Sequence, residues 1–145
     1  MLGHGCSAAR AAAGFAAAIR LAAEVERLNN VAGTAAVEAR EGRIARAREI
    51  LRGVDSLASR YDPLPLHTAL FVAEAHAVAG DADRAMHWLD AYTPSGELYF
   101  QLHLRFAPMF DPIAGDARFR ALLLRERPPA GQECGRRRAT LHKGR

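Results

Sequence analysis

Gly42 and Gly80 stand 38 residues apart, and the residues around them repeat in the same register. After Gly42 come Ala47, Ile50 and Leu51, at five, eight and nine residues; after Gly80 come Ala85, Trp88 and Leu89 at the same offsets. Ahead of the turns, Ala35 matches Ala73. Spacings of three and four place such residues on one face of a helix, and a glycine between two stripes ends one helix and turns the chain into the next. The stretch Leu66 to Tyr92 carries the whole unit. Ala69, Leu70, Ala73 and Ala77 form one stripe, Gly80-Asp81 breaks it, and Ala85, Trp88, Leu89 and Tyr92 form the second. Alanine at the crossing lets two antiparallel backbones approach, with Trp88 and Leu89 closing over the contact. The pattern predicts an all-α chain built from helix pairs at about residues 31–61 and 66–92.

Composition points the same way. Half of the residues are hydrophobic, much of that alanine, and aromatic residues make up only 7%; this suits close helix-on-helix packing, whereas a sheet core would draw on β-branched and aromatic residues. A chain of 145 residues supports one domain. Cys6 and Cys134 sit near opposite ends and form neither a disulfide framework nor a metal knuckle, which suits a reducing compartment. The apolar run Ala11 to Ile19 is too short to span a bilayer and is followed by Arg20 and Glu24. Leu2-Gly3-His4-Gly5-Cys6 has the outline of a lipoprotein cleavage site without the apolar core that should precede it. The chain therefore reads as cytoplasmic, with no membrane partner.

Charge is concentrated at one end. From Arg125 to Arg145 there are seven basic and two acidic residues, a net +5, against −1 for the rest. A nearly neutral body argues against a nucleic-acid-binding fold, which would carry its basic stripe on the ordered surface.

Taken in order, residues 6 to 30 predict an alanine-rich helix ended by Asn29-Asn30, with Phe15, Ile19, Ala22, Ala23 and Glu26 on its inward side. Alanine favours the helix but buries little, so this element needs a neighbour, and a homodimer through it is one way to supply it. Asp62-Pro63-Leu64-Pro65 cannot continue a helix and absorbs the extra length between the two pairs. Beyond Tyr92, Ser95 and Glu97 suit a helix start. A helix from about Glu97 to Leu104 would turn Leu98, Phe100, Leu102 and Phe106 toward the preceding pair. Pro108 to Ile113 predicts a turn with apolar anchors. Asp116 is placed to cap a last helix whose Phe119, Leu122 and Leu123 form a lid, while Arg118, Arg120 and Arg125 face water. The domain thus spans 1–127, with the closing segment at 93–127, and 128–145 is a basic tail expected to be disordered.

These residues carry a family resemblance. The paired helices with small residues at the crossing resemble the tetratricopeptide repeat, a unit of roughly 34 residues, about four fewer than here. The closing segment is similar to that of many bacterial members: Pro108, Phe110, Asp111, Pro112, Asp116, Arg118, Phe119, Leu122 and Leu123 match it, and Ala117 stands where a second proline is usual. The chain departs from the family late in each helix. Glu38 and His76 replace an aromatic residue, and Val54 and Tyr92 replace a small one. The resemblance implies a short α-solenoid with a capping helix, stabilised by Ala35, Gly42, Ala47, Leu51, Ala73, Gly80, Ala85, Trp88, Leu89, Phe110, Asp116 and Phe119. It also implies a protein-interaction module in which a peptide lies along the first helix of each pair. The residues expected to face that peptide are Glu38, Arg40, His67, Thr68, Phe71 and Glu74 or Ala75.

Nothing in the sequence favours catalysis, a cofactor or a metal. His67 and His76 lie nine residues apart, out of phase for shared chelation, and no HxxxH spacing occurs. Asp81 and Asp83 with Arg84 have the chemistry to meet a cation or a phosphate, but Asp81 or Asp83 reads rather as the cap of the following helix, meeting its dipole. Phosphate-binding, nucleophile-elbow and dinucleotide motifs are absent. Two other functions fit parts of the chain: the regulatory C-terminal part of a larger bacterial signalling protein such as a kinase or winged-helix regulator, and a nucleic-acid-associated protein using Arg136-Arg137-Arg138, Lys143 and Arg145.

Overall fold

The computed structural model describes residues 4–61, 63–91 and 98–125, with 4–9 and 98–101 described as helical backbone. Six α-helices and one 3-10 helix follow one another, with no strand among the described residues. They are α1 (His4–Arg40), α2 (Ile44–Ala58), α3 (Leu66–Val78), α4 (Ala82–Asp90), α5 (Leu98–Phe106), a 3-10 helix (Pro108–Ile113) and α6 (Ala117–Arg125). The helix pairs are α1 with α2 and α3 with α4, and α1 and α2 both pack on α3.

The two turns between paired helices share one hydrogen-bond pattern. At the first, Gly42 N–H donates to the Ala39 carbonyl and Arg43 N–H to that of Glu38; at the second, Gly80 N–H donates to Ala77 and Asp81 N–H to His76. Both are Schellman endings, in which two backbone amides satisfy the carbonyls left open at a helix C-terminus. Each needs a left-handed residue at the turn, and Gly42 and Gly80 supply it with φ of 81° and 74°. The helix that follows also begins alike, Ala47 N–H donating to Arg43 and Ala85 N–H to Asp81. The 38-residue register in the sequence is therefore a register of geometry. Ala35, Ala47, Leu51, Ala73, Ala85, Trp88 and Leu89 are all buried, and Ile50 is half-buried.

Among these elements α3 lies innermost. All its residues from Thr68 to Ala77 are buried except Phe71. Its apolar and small residues run all the way round, as a helix with neighbours on several sides requires. The 3-10 helix also packs on it, burying Phe110 and Ile113. Phe110 stacks on Phe119 of α6 with ring centroids 5.3 Å apart, and Leu122 is fully buried, so α6 packs this face against the 3-10 helix. Asp116 caps α6 by accepting from the Arg118 N–H at 2.8 Å. Hydrogen bonds from the Arg118 side chain and backbone hold the Asp116 carboxyl down to about 2. The Arg118 guanidinium also reaches Asp83 at 2.8 Å, tying the lid to α4.

Three expectations need correction. First, α1 does not stop at Asn29-Asn30 but runs unbroken to Arg40. Two interior asparagines cost a helix under about 1.5 kcal/mol together, and burial of Leu28, Ala32, Ala35, Ala36 and Ala39 outweighs that. Second, the supposed inward face of the early helix is bare: Phe15 is 70% and Ile19 56% exposed, and Ala22, Ala23 and Glu26 are exposed as well. The reason is length. A tight turn joins α1, of 37 residues, to α2, of 15, so α2 cannot reach back beyond the second half of its partner. Third, Leu102 and Phe106 point outward from α5 while Leu104 is buried. Residues two apart lie about 200° around a helix, so Leu104 inward forces both neighbours out. The expected roles of Tyr92, Ser95, Glu97 and the basic tail fall outside the described residues, as do the side-chain contacts expected of Leu98 and Phe100.

Candidate functional site

The residues expected to meet a peptide divide by burial. His67 and Phe71 lie exposed on α3, and Arg40 is exposed on α1, its guanidinium 2.9 Å from the Met109 sulfur. Glu38 is half-buried and paired with Arg43 at 2.5 Å, which lowers its pKa. Thr68 and Glu74 are not available: they are 1% and 4% exposed, and Ala75 is buried too. The Glu74 carboxylate is a hydrogen-bond partner of His103 on α5. Thr68 and Glu74 stand three residues either side of Phe71 on α3, but the 3-10 helix packs on this helix and Glu74 is turned to His103 of α5. The exposed large apolar side chains on the packed half of α1 and on α3 are Val31, Val37 and Phe71, with His67 exposed one turn before Phe71.

A second site escaped the sequence reading. Asp55 on α2 is a buried acid whose Oδ1 lies 2.9 Å from His76 Nε2 and accepts from Trp88 Nε1 at 2.9 Å, while Arg84 Nε stands 3.5 Å from Oδ2. One carboxylate thereby joins α2, α3 and α4. Burial alone would raise the Asp55 pKa, but the hydrogen bonds from His76 and Trp88 and the positive charge of Arg84 overcome it and hold the carboxyl below its ordinary value. His76 Nδ1, also buried, makes no hydrogen bond; the nearest acid is Asp81, at 3.9 Å. Asp81 is the N-cap of α4 and accepts from the Arg84 N–H at 3.1 Å.

These groups floor a pocket of about 240 Å³ whose rim carries Arg48, Arg52 and Arg84. Helical phase explains why they converge. Arg48, Arg52 and Asp55 are four and three residues apart on α2, hence on one face, and the turn at Gly80 brings the start of α4 alongside. The sequence held a signal for this cluster. Asp55 interrupts the stripe Leu51, Val54, Ala58, and His76 interrupts Ala69, Val72, Ala73, so each polar residue falls in phase with buried apolar ones.

Among the described residues, no group of three or more His, Cys, Asp and Glu is placed to hold a metal ion, and no helix is long and apolar enough to cross a membrane. Compared with family models, with curated proteins and with solved structures, the chain matches none.

Proposed function

We propose that the protein is a non-enzymatic interaction module of the tetratricopeptide type, binding a protein or peptide partner along its first-in-pair helices. The observation that carries this reading is the duplicated helix-turn-helix. Two Schellman turns stand 38 residues apart, with buried alanines at matching positions on either side. Repetition of one packed unit leaves the outer side chains of adjacent helices free to vary, and an extended partner can run across them. On this chain the side chains so offered are Val37, His67 and Phe71, in place of Thr68 and Glu74. An exposed aromatic ring such as that of Phe71 gives a partner a large apolar surface to bury against.

A photo-crosslinking residue at position 71 tests the assignment. It should capture a discrete partner whose yield falls about tenfold or more when Val37 is changed to Glu, and a crosslinker at Arg120 on the lid should not capture it. Equal capture from both positions would mean that this face is not the binding surface.

A further inference from the structure

We infer that the pocket between α2 and the start of α4 is a binding site for a phosphoryl group, carried either by a small phosphate ester or by a phosphorylated peptide. The inference is independent of the peptide surface proposed above, which lies on α1 and α3. Three observations meet at this pocket. Arg48 and Arg52, one helical turn apart, both line this pocket with exposed side chains that have no carboxylate partner among the described residues. The third rim arginine, Arg84, sits in the first turn of α4 beside its N-cap, where a helix favours negative charge. At the floor, His76 is 3% exposed at its side chain and keeps Nδ1 without a hydrogen bond; with Nε2–H given to Asp55, Nδ1 is an acceptor for a hydroxyl of the bound group.

The acids of the pocket do not cancel this. Asp55 already accepts from His76 and Trp88, so its charge is met from below. Asp81 is engaged at the α4 amide. The charge of Arg48 and Arg52 is left facing solvent over a pocket of about 240 Å³, open enough for a phosphoryl group and the first atoms of whatever bears it. The two uncommitted forks of Arg48 and Arg52, with Arg84 beside them at Asp55, suit a group with several terminal oxygens better than a single carboxylate.

The sole tryptophan of the chain provides the readout. Trp88 is buried and donates to Asp55, so a change at the pocket floor should alter its emission. The full-length protein is titrated with inorganic phosphate at constant ionic strength, then with a phosphoserine peptide and the same peptide unphosphorylated. A saturable change in Trp88 emission is expected with phosphate. R48E/R52E should weaken it about a hundredfold, and R10E/R20E on exposed α1 should leave it unchanged, with far-ultraviolet circular dichroism showing all three proteins equally helical. Tighter binding of the phosphorylated peptide than of phosphate, with none by its unphosphorylated form, assigns a peptide source. Phosphate binding that the peptide does not improve assigns a small ester. No response beyond that to chloride, or an R48E/R52E protein that responds like the parent, overturns the site.

Discussion

Two stretches of similar composition meet opposite fates. Residues 11–24 of α1 and the whole of α3 are both rich in alanine with scattered large apolar residues, and both carry apolar side chains round most of the helix. Every residue from Arg10 to Glu24 is exposed, whereas α3 is buried on nearly all sides. The difference lies in neighbours. Helix α3 is touched by α1, α2, α4 and the 3-10 helix, while α1 extends about 30 Å beyond the reach of α2. An apolar helix face thus records a capacity for burial, and chain topology decides whether it is used.

The sharpest test of that contrast is Asp55→Ala in the packed region. It strands the buried His76 Nε2 and Trp88 Nε1, and unpartnered buried groups cost about 1–3 kcal/mol each. A loss of about 2–5 kcal/mol in urea unfolding is therefore expected; a loss under 1 kcal/mol would show that water reaches the cluster.

The same residue makes the packed region sensitive to acid. The folded-state pKa of Asp55 is depressed, so its contribution is fully present above the unfolded carboxylate value of about 3.9 and is lost as pH falls through the folded one. The stability gap between the parent and Asp55→Asn should be flat from about pH 5 to 7 and narrow below about pH 4. A gap that widened on acidification would reverse the assignment.

Next in size is a matched pair of substitutions. Ala73→Leu overpacks a site with no exposed surface and should cost about 1–3 kcal/mol, whereas Ala16→Leu on the bare half of α1 should stay within about 0.5 kcal/mol. Equal costs would break the comparison. A further pair checks the duplicated turns: Gly42→Ala and Gly80→Ala each force an L-residue into the left-handed region and should each cost about 1–2 kcal/mol. The smallest effect belongs to Phe15→Ala, expected to be within about 0.5 kcal/mol by thermal melting. A larger, concentration-dependent loss would mean that a second copy covers this helix in solution.

Much of the local architecture was legible beforehand. The glycine turns, the alanines at the crossings, the Asp81 and Asp116 caps and the lid of Phe119 and Leu122 all follow from short-range rules of phase, capping and φ. Three long-range facts were not. Asn29-Asn30 carries the local preference of a helix ending, but burial of Ala32, Ala35, Ala36 and Ala39 after it is stronger. The burial of Thr68 and Glu74 depends on what packs against α3, His103 of α5 on Glu74 included, and no spacing within α3 carries that. The Asp55 cluster was visible only as polar residues in phase with apolar stripes, with no sign that they would meet.

The sequence by itself determined where helices turn and which small residues can sit at a crossing, since hydrogen-bond closure, glycine conformation and helical phase act over a few residues. The tertiary structure alone decided that half of α1 stands uncovered, that α3 is enclosed, and that Asp55, His76, Trp88 and three arginines share one place. Those outcomes depend on how far each helix reaches along its neighbour and on contacts between residues 20 to 40 positions apart, which no local pattern encodes.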